Sequence, residues 1–208
     1  MEGNVMAVVD IFTTDKKYNV IYADPPWQFS SKEVQRYNGN RFRPLETVYG
    51  TEKASVMETW DVKRIAEKDA ALFMWSTDAH LEEAIRLMKA WGFKYVTVAF
   101  VWSKKTKNGK QVSTLGAWTM KNCELCLLGT RGGMLKNKRS NSVRQLVEAE
   151  RTEHSKKPDC VRTLIMELFG DIPRIELFAR QQADGWDCWG NEVEGEVNGC
   201  CEVYQRTR

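Results

Sequence analysis

Apolar runs in this chain are short and nearly unbroken, and stretches with helical spacing separate most of them. Strand-like runs occupy Asn19–Ala23, Ala70–Ser76, Tyr95–Trp102, Cys123–Leu128 and Arg174–Phe178. Continuous apolar character over so few residues suits strands covered on both faces. Leu81, Ile85 and Met88 fall at i, i+4 and i+7, with Gly92 just beyond as a stop signal. Val161, Leu164, Ile165 and Leu168 form a second helical stripe, ended by Gly170. Strand and helix in alternation predict a single α/β domain with a mostly parallel, doubly wound sheet. Tyr95–Trp102 and Cys123–Leu128 are joined without a helical pattern, which predicts an added antiparallel edge strand. Gln28 to Val48 and Gly129 to Glu150 lack periodicity and are expected to be functional loops bordering one cleft. The domain is expected over residues 1–192, with a polar tail over 193–208 that frays.

At 208 residues the chain suits one well-cored domain, and 42% hydrophobic with 28% charged residues is ordinary for a globular protein. No apolar stretch reaches the length of a membrane span and the amino terminus lacks a signal pattern, so a cytoplasmic protein is expected. The six cysteines are then expected as free thiols. Cys123 and Cys126 have metal-type spacing, but no second Cys or His pair follows, and His80 and His154 are isolated, so no metal site is expected.

The net charge of +3 conceals an asymmetry. From Lys104 to Lys157 there are 13 Lys or Arg against 4 Asp or Glu. A basic middle on a near-neutral chain is the pattern of a polyanion-binding face. Lys136, Lys138 and Arg139 stand among Asn and Ser with no acid nearby in sequence, and are the candidate phosphate grip.

The candidate chemistry centres on Asp24-Pro25-Pro26-Trp27, where the first strand ends. A strand stopping on Asp-Pro-Pro places a carboxylate and a rigid turn at the sheet's carboxyl edge, where open α/β sheets bind ligands. Backbone carbonyls and a carboxylate beside an aromatic ring suit a planar base with an exocyclic amine. Trp27 is expected to face that base, whereas Trp75 and Trp102 are expected as core or cleft wall. Lys157 precedes Pro158 at the start of a helical stripe, which predicts an anion site at a helix amino terminus. Glu176 on an apolar strand needs a partner, and Arg180, which flanks the strand end with it, is the candidate for a structural salt bridge. No Gly-x-Gly-x-x-Gly follows any strand, which argues against a nicotinamide or flavin dinucleotide.

The sequence resembles the MT-A70 family of S-adenosylmethionine-dependent adenine N6-methyltransferases, in particular its short bacterial and phage-type members. The resemblance runs from about Asp10 to Glu192. It rests on Asp24-Pro25-Pro26-Trp27, Tyr49-Gly50-Thr51, Ala71-Leu72-Phe73-Met74-Trp75, Val101-Trp102-Ser103-Lys104, Glu124-Leu125-Cys126-Leu127-Leu128-Gly129, Ser155-Lys156-Lys157-Pro158-Asp159, Ile175-Glu176-Leu177-Phe178-Ala179-Arg180 and Trp189-Gly190-Asn191. It implies a Rossmann-like methyltransferase fold in permuted order, catalytic motif before cofactor motif. It implies that Asp24 and the Pro25 carbonyl hold the target amine, with Pro26 and Trp27 completing the motif and Tyr49 closing over the base. It further implies S-adenosylmethionine as cofactor, with Lys157 on its carboxylate, Arg180 and Asn191 near ribose and adenine, and Glu176, Phe178 and Glu192 alongside. Asp10-Ile11 looks like the pair that meets the adenine edge. The family's His-Asn after an Arg-Pro is Gln182-Ala183 here, and Glu192 stands where one branch has glutamine. The expected partner is nucleic acid, with DNA favoured over RNA, together with a homodimer or partner subunit as in related enzymes. RNA adenine methylation, a non-catalytic nucleic-acid-binding subunit and amino-cytosine methylation are the competing assignments.

Overall fold

The structure, a computed structural model, describes residues 7–28, 52–116, 118–152 and 156–193. Seven strands form one sheet: β1 (Tyr18–Ala23), β2 (Ala66–Ser76), β3 (Lys94–Lys105), β4 (Cys123–Arg131), β5 (Leu146–Glu150), β6 (Arg174–Leu177) and β7 (Asp187–Trp189). Their order is β5-β3-β4-β2-β1-β6-β7. The pairs β1–β2, β1–β6, β6–β7 and β3–β5 are parallel, and β4 runs antiparallel to both its neighbours. The expected antiparallel strand is therefore present, but inside the sheet and not at an edge. The reason is β5, which adds beyond β3 and takes the edge position.

β5 lies within the stretch expected to be an aperiodic loop. Its five residues alternate about Val147, which alone is buried, so it carries too little apolar character to read as a two-sided strand. The central strands behave as their composition demands. Ile21 and Ala23 of β1, with Leu72 and Met74 of β2, enter a core on one face. Val20 and Tyr22, with Ala71, Phe73 and Trp75, enter a second core on the other. Alternate residues thus meet different apolar layers, which is why no polar position interrupts the run.

Among the described residues three α-helices accompany the sheet: α1 (Ala54–Met57), α2 (Leu81–Ala90) and α3 (Cys160–Phe169). α2 buries Ala84, Leu87 and Met88, with Leu81 and Ile85 packed at the margin of the same core. The chain reverses at Gly92, whose φ of 83° favours glycine. Gly129 of β4 lets the helix approach: a Cβ there would stand 3.3 Å from Met88 Sδ and 3.2 Å from Phe93 Cβ. α3 buries Val161, Ile165 and Phe169 on the opposite face and ends at Gly170, φ 76°. Among the described residues no helix is long and apolar enough to cross a membrane.

The registers orient every loop. Ser76 pairs with Leu125 and Ser103 with Cys123, so the start of β4 shares an edge with the ends of β1, β2, β3 and β6. Ala70 pairs with Arg131, which puts the end of β4 at the opposite, amino edge. The segment 132–145 therefore leaves from the amino edge, and residues 106–122 from the carboxyl edge.

Candidate active site

Asp24 follows the last residue of β1, and Lys157 reaches it from the segment before α3. The Lys157 ammonium donates to Asp24 Oδ2 at 2.8 Å and lies 3.4 Å from Glu124 Oε2. Glu124, the second residue of β4, is in turn bound by Lys104 of β3. Four charges of alternating sign thus line the carboxyl edge across three strands and a helix entry. Their floor is aromatic. Lys157 Nζ sits 5.7 Å from the Trp75 ring centroid and Lys104 Nζ 5.2 Å from that of Trp102. Trp75 and Trp102 are 1% and 2% exposed, so they act as buried walls beneath the cations.

This environment shifts each ionisation. Burial pushes the Asp24 carboxyl above the ordinary aspartate value, with Lys157 pulling against it. Burial alone would depress Lys157, but Asp24 and Glu124 outweigh it and hold the ammonium above its usual range. Burial opposes ionisation of Glu124 as well, yet Lys157 and Lys104 together keep its carboxyl below the ordinary value. Lys157 is therefore a firm cation, and Asp24 is the carboxylate of the set whose ionised form its surroundings disfavour.

Behind them, Glu176 on β6 is gripped by Arg162 of α3 in a two-pronged pair, Nε to Oε2 at 2.6 Å and Nη2 to Oε1 at 3.0 Å. The partner expected from sequence, Arg180, instead faces Glu192 at 3.8 Å. Arg162 comes from one helical turn after Lys157, which points both cations toward the strand ends. Pro158 stands two residues before the first helical residue, Cys160, and its carbonyl opens the turn by accepting from the Val161 N–H at 3.1 Å. Phe178, directly after β6, takes φ 61°, a left-handed conformation uncommon for a bulky residue. Its ring packs against Trp60 and Trp189, with centroids 5.7 and 5.5 Å away. Gly190 makes the crossing there feasible, because a Cβ on it would lie 2.1 Å from the Ala179 carbonyl oxygen.

One cleft of about 130 Å³ gathers Asp24, Lys157, Glu176, Phe178, Arg180 and Glu192. All six were expected at the site from sequence. Tyr22, Lys156, Arg162 and Gln181 also line it and were not. Arg162 carried one indirect signal, the need of Glu176 for a cation. Cofactor pockets commonly exceed about 300 Å³, so a nucleoside ligand seated here extends out along the carboxyl edge.

Other expected residues lie elsewhere. Asp10 closes a local turn through the Phe12 N–H and Thr13 hydroxyl, and Ile11 is buried in the core; neither lines the cleft. Asn191 is exposed next to Glu192. Trp27 does not face the cleft: it is 6% exposed, its Nε1–H donates to the Trp75 carbonyl at 3.1 Å, and His80 stacks on its ring at 5.5 Å. It anchors the Asp-Pro-Pro turn to β2. The Pro25 carbonyl already accepts the Trp27 N–H at 2.9 Å, leaving one lone pair for a ligand, and the Pro26 carbonyl accepts from Glu52 N–H at 2.8 Å. Tyr49, Ser155, His154 and the tail over 194–208 lie outside the described residues, as does nearly all of the loop expected over Gln28–Val48.

Lys136, Lys138 and Arg139 are placed at the amino edge, away from Asp24. Lys136 is ion-paired with Asp69 near the start of β2, and Lys138 donates to Asn141 at 2.8 Å. Arg139 is tied by its backbone N–H to the Leu168 carbonyl at 2.8 Å, at the far end of α3. The expectation that this segment lacks acidic neighbours and borders the cleft is thus overturned. The reversal of direction at β4 separates it from the site.

A family model described as MT-A70 matches residues 18–192. This chain belongs to the MT-A70 family. The match begins with β1 and ends on Glu192, so it contains every cleft residue and leaves Asp10 and Ile11 outside. Among curated relatives, the type II methyltransferase M.MunI of a Mycoplasma species is 36% identical over 189 residues, covering 86% of this chain and 78% of that protein. A probable N(6)-adenosine-methyltransferase MT-A70-like from Oryza sativa subsp. japonica is 29% identical over 183 residues, 86% of this chain but 23% of its own length. The human N(6)-adenine-specific methyltransferase METTL4 is 29% identical over 192 residues, 86% of this chain and 38% of its own. The chain thus spans most of the Mycoplasma relative and well under half of the plant and human ones.

Proposed function

We propose that this chain is a methyltransferase that transfers the methyl group of S-adenosylmethionine to the exocyclic N6 amine of adenine in nucleic acid, with DNA the favoured substrate. The observation that carries this is Asp24, a carboxylate at the end of β1 with one cation 2.8 Å away, inside a cleft that also holds Glu176 and Arg180. Relatives named for N6-adenine and N6-adenosine methylation support the target. DNA is favoured because the type II methyltransferase is both the more identical relative and the one spanned over most of its length.

The donor set fits the cofactor. Lys157 and Arg180 would take its carboxylate and ribose side, Glu176 and Glu192 its hydroxyl and amine donors, and Phe178 would offer an apolar face. When bound, S-adenosylmethionine supplies an electrophilic methyl on a sulfonium. The protein's task is to present a weak nucleophile, because the adenine amine is delocalised into its ring. Asp24 accepts one N–H and the free lone pair of the Pro25 carbonyl accepts the other. That fixes the lone pair's direction and stabilises positive charge developing on nitrogen. Transfer of the methyl group would leave the amine nitrogen with a proton to lose, which Asp24 or water would take up. Lys157 keeps Asp24 ionised until then. A base within a duplex has to leave the stack to reach this edge.

Incubation with tritiated S-adenosylmethionine and a panel of single- and double-stranded DNA and RNA, followed by nucleoside digestion, tests the assignment. Label is expected in N6-methyladenine, from DNA first. Label in cytosine, or none in any nucleic acid, refutes it.

A further inference from the structure

The β3–β4 connection carries features that the cleft does not explain. Residues 104–122 contain five lysines, Lys104, Lys105, Lys107, Lys110 and Lys121, and no acid. Lys104, Lys105 and Lys121 have protein partners in Glu124, Glu148 and Asp78. Lys107 and Lys110 are exposed in the first turn, with no acid in reach among the described residues. The connection is built of two successive turns. Lys105 bridges Gln111, and further out Thr114 and Lys121 exchange both backbone hydrogen bonds at 2.7 Å. The outer turn is tight, since a Cβ on Gly116 would stand 2.5 Å from the Thr119 carbonyl oxygen.

That turn presents Trp118, which is 98% exposed. The chain has eight tryptophans, and the other seven are at most 9% exposed. A fully solvated indole forgoes the burial that makes tryptophan useful in a core. Its neighbours Leu115 and Met120 are also exposed, at 49% and 54%. The hairpin rises from the carboxyl edge. Its root joins Lys104, Glu124, Lys157 and Asp24, and Lys121 pins its outer turn to Asp78 just beyond β2. A stacking ring among unpaired cations is the composition that grips a nucleic-acid strand: phosphates on the lysines, one base on the ring.

We propose that the 106–122 hairpin is the substrate arm of this protein, with Lys107 and Lys110 on strand phosphates and Trp118 stacked on an unpaired base beside the one delivered to Asp24. This rests on the nucleic-acid assignment above and goes beyond it by naming the surface. The segment over 132–145, at the opposite edge, then serves as an internal control.

The test uses the full chain and fluorescein-labelled adenine-containing DNA, single-stranded and duplex. Acrylamide quenching of intrinsic fluorescence reports mainly on Trp118, because the other seven indoles are buried. DNA should protect that fluorescence in the wild type, and Trp118→Phe should lose most of the quencher-accessible signal. Trp118→Ala should weaken binding by about tenfold, the size of one base stack. Lys107→Ala with Lys110→Ala should lower the slope of log affinity against log salt by about two. Lys138→Ala with Arg139→Ala, at the amino edge, should leave the slope unchanged. Calorimetric S-adenosylmethionine affinity should be unaltered in every variant. If the wild type binds and methylates DNA while Trp118 stays accessible and the hairpin variants bind normally, the arm is refuted and the function stands. If the wild type neither binds nor methylates any nucleic acid, the underlying function fails and the arm with it. A wild-type dimer in sedimentation that Trp118→Ala splits would assign the face to a second copy and overturn the proposal.

Discussion

Replacing Arg162 by leucine isolates the pair behind the cleft. Glu176 and Arg162 side chains are 10% and 14% exposed, and two hydrogen bonds join them at 2.6 and 3.0 Å. Removing the guanidinium leaves a carboxylate in an apolar strand, and burial, Asp24 and Asp159 all disfavour its ionisation. Breaking a buried pair from one side costs about 3–5 kcal/mol. For a domain of this size each kcal/mol lowers the melting temperature by about 2–4 °C, so Arg162→Leu should melt about 6–20 °C below wild type. The deficit should depend on pH with a definite sign. Without Arg162 the folded state holds the Glu176 proton more tightly than the unfolded chain does. Stability then falls as pH rises from the ordinary glutamate range through the raised folded value, and levels off above it. The loss should therefore be smaller at pH 5 than at pH 8. Adding Glu176→Gln to Arg162→Leu removes the stranded charge and should restore at least half of the loss. Calorimetric or circular-dichroism melts of the two variants across pH decide it. A single variant within about 3 °C of wild type at pH 8, or a double variant no better than the single, refutes the view that Arg162 neutralises a buried charge.

Four further outcomes are expected. Lys157→Met should weaken S-adenosylmethionine binding by about 1.5–3 kcal/mol, the range for a charged hydrogen bond, and unchanged calorimetric affinity would remove Lys157 from the cofactor. Asp24→Asn should cost turnover more than tenfold, above about 1.4 kcal/mol in the transition state, with cofactor affinity within a few-fold; a variant retaining more than a tenth of the rate contradicts the acceptor role. Because Asp24 must be ionised to accept the amine and burial raises its carboxyl, the acid limb of the turnover profile should lie above the ordinary aspartate value of about 3.9. Glu124→Gln should move that limb to lower pH, since Glu124 adds to the upward push and shares Lys157.

What the sequence made legible was set by local chemistry. Asp24 stood out because a strand cannot continue through two prolines. α2 and α3 stood out because their apolar spacing and closing glycines act within ten residues. The Asp24–Lys157 pair was not legible as a pair, because 133 residues separate its members and each has a separate local account. Arg162 reads as an exposed first-turn arginine until Glu176 is placed beside it. β5 hid because one buried valine and a half-buried alanine cannot outweigh three exposed neighbours. Trp27 misled in the other direction: an aromatic next to a ligand-binding turn suggests stacking, but its indole N–H needed the Trp75 carbonyl and drew the ring inward.

The basic stretch shows how strand direction decides function where composition cannot. Read along the chain, Lys104 to Lys157 is one positive region. In the fold β4 runs against its neighbours, so each end of that strand opens on a different edge of the sheet. Lys107, Lys110 and Lys121 rise on the side of Asp24, while Lys136, Lys138 and Arg139 descend to the side where Asp69 waits. The charge chemistry of the two segments then diverges: Lys136 neutralises a protein carboxylate, whereas Lys107 and Lys110 have no ion-paired acid among the described residues and are the cations the proposed arm would offer to phosphates. Lys157 belongs to neither. Held between Asp24 and Glu124, it would, in the proposed reaction, serve the reacting carboxylate first, and a cofactor carboxylate arriving there would have to share it. The proposed function thereby links cofactor binding to the ionisation of Asp24 through one ammonium. Glu124, with Lys104 behind it, sets how much of that positive charge either can draw.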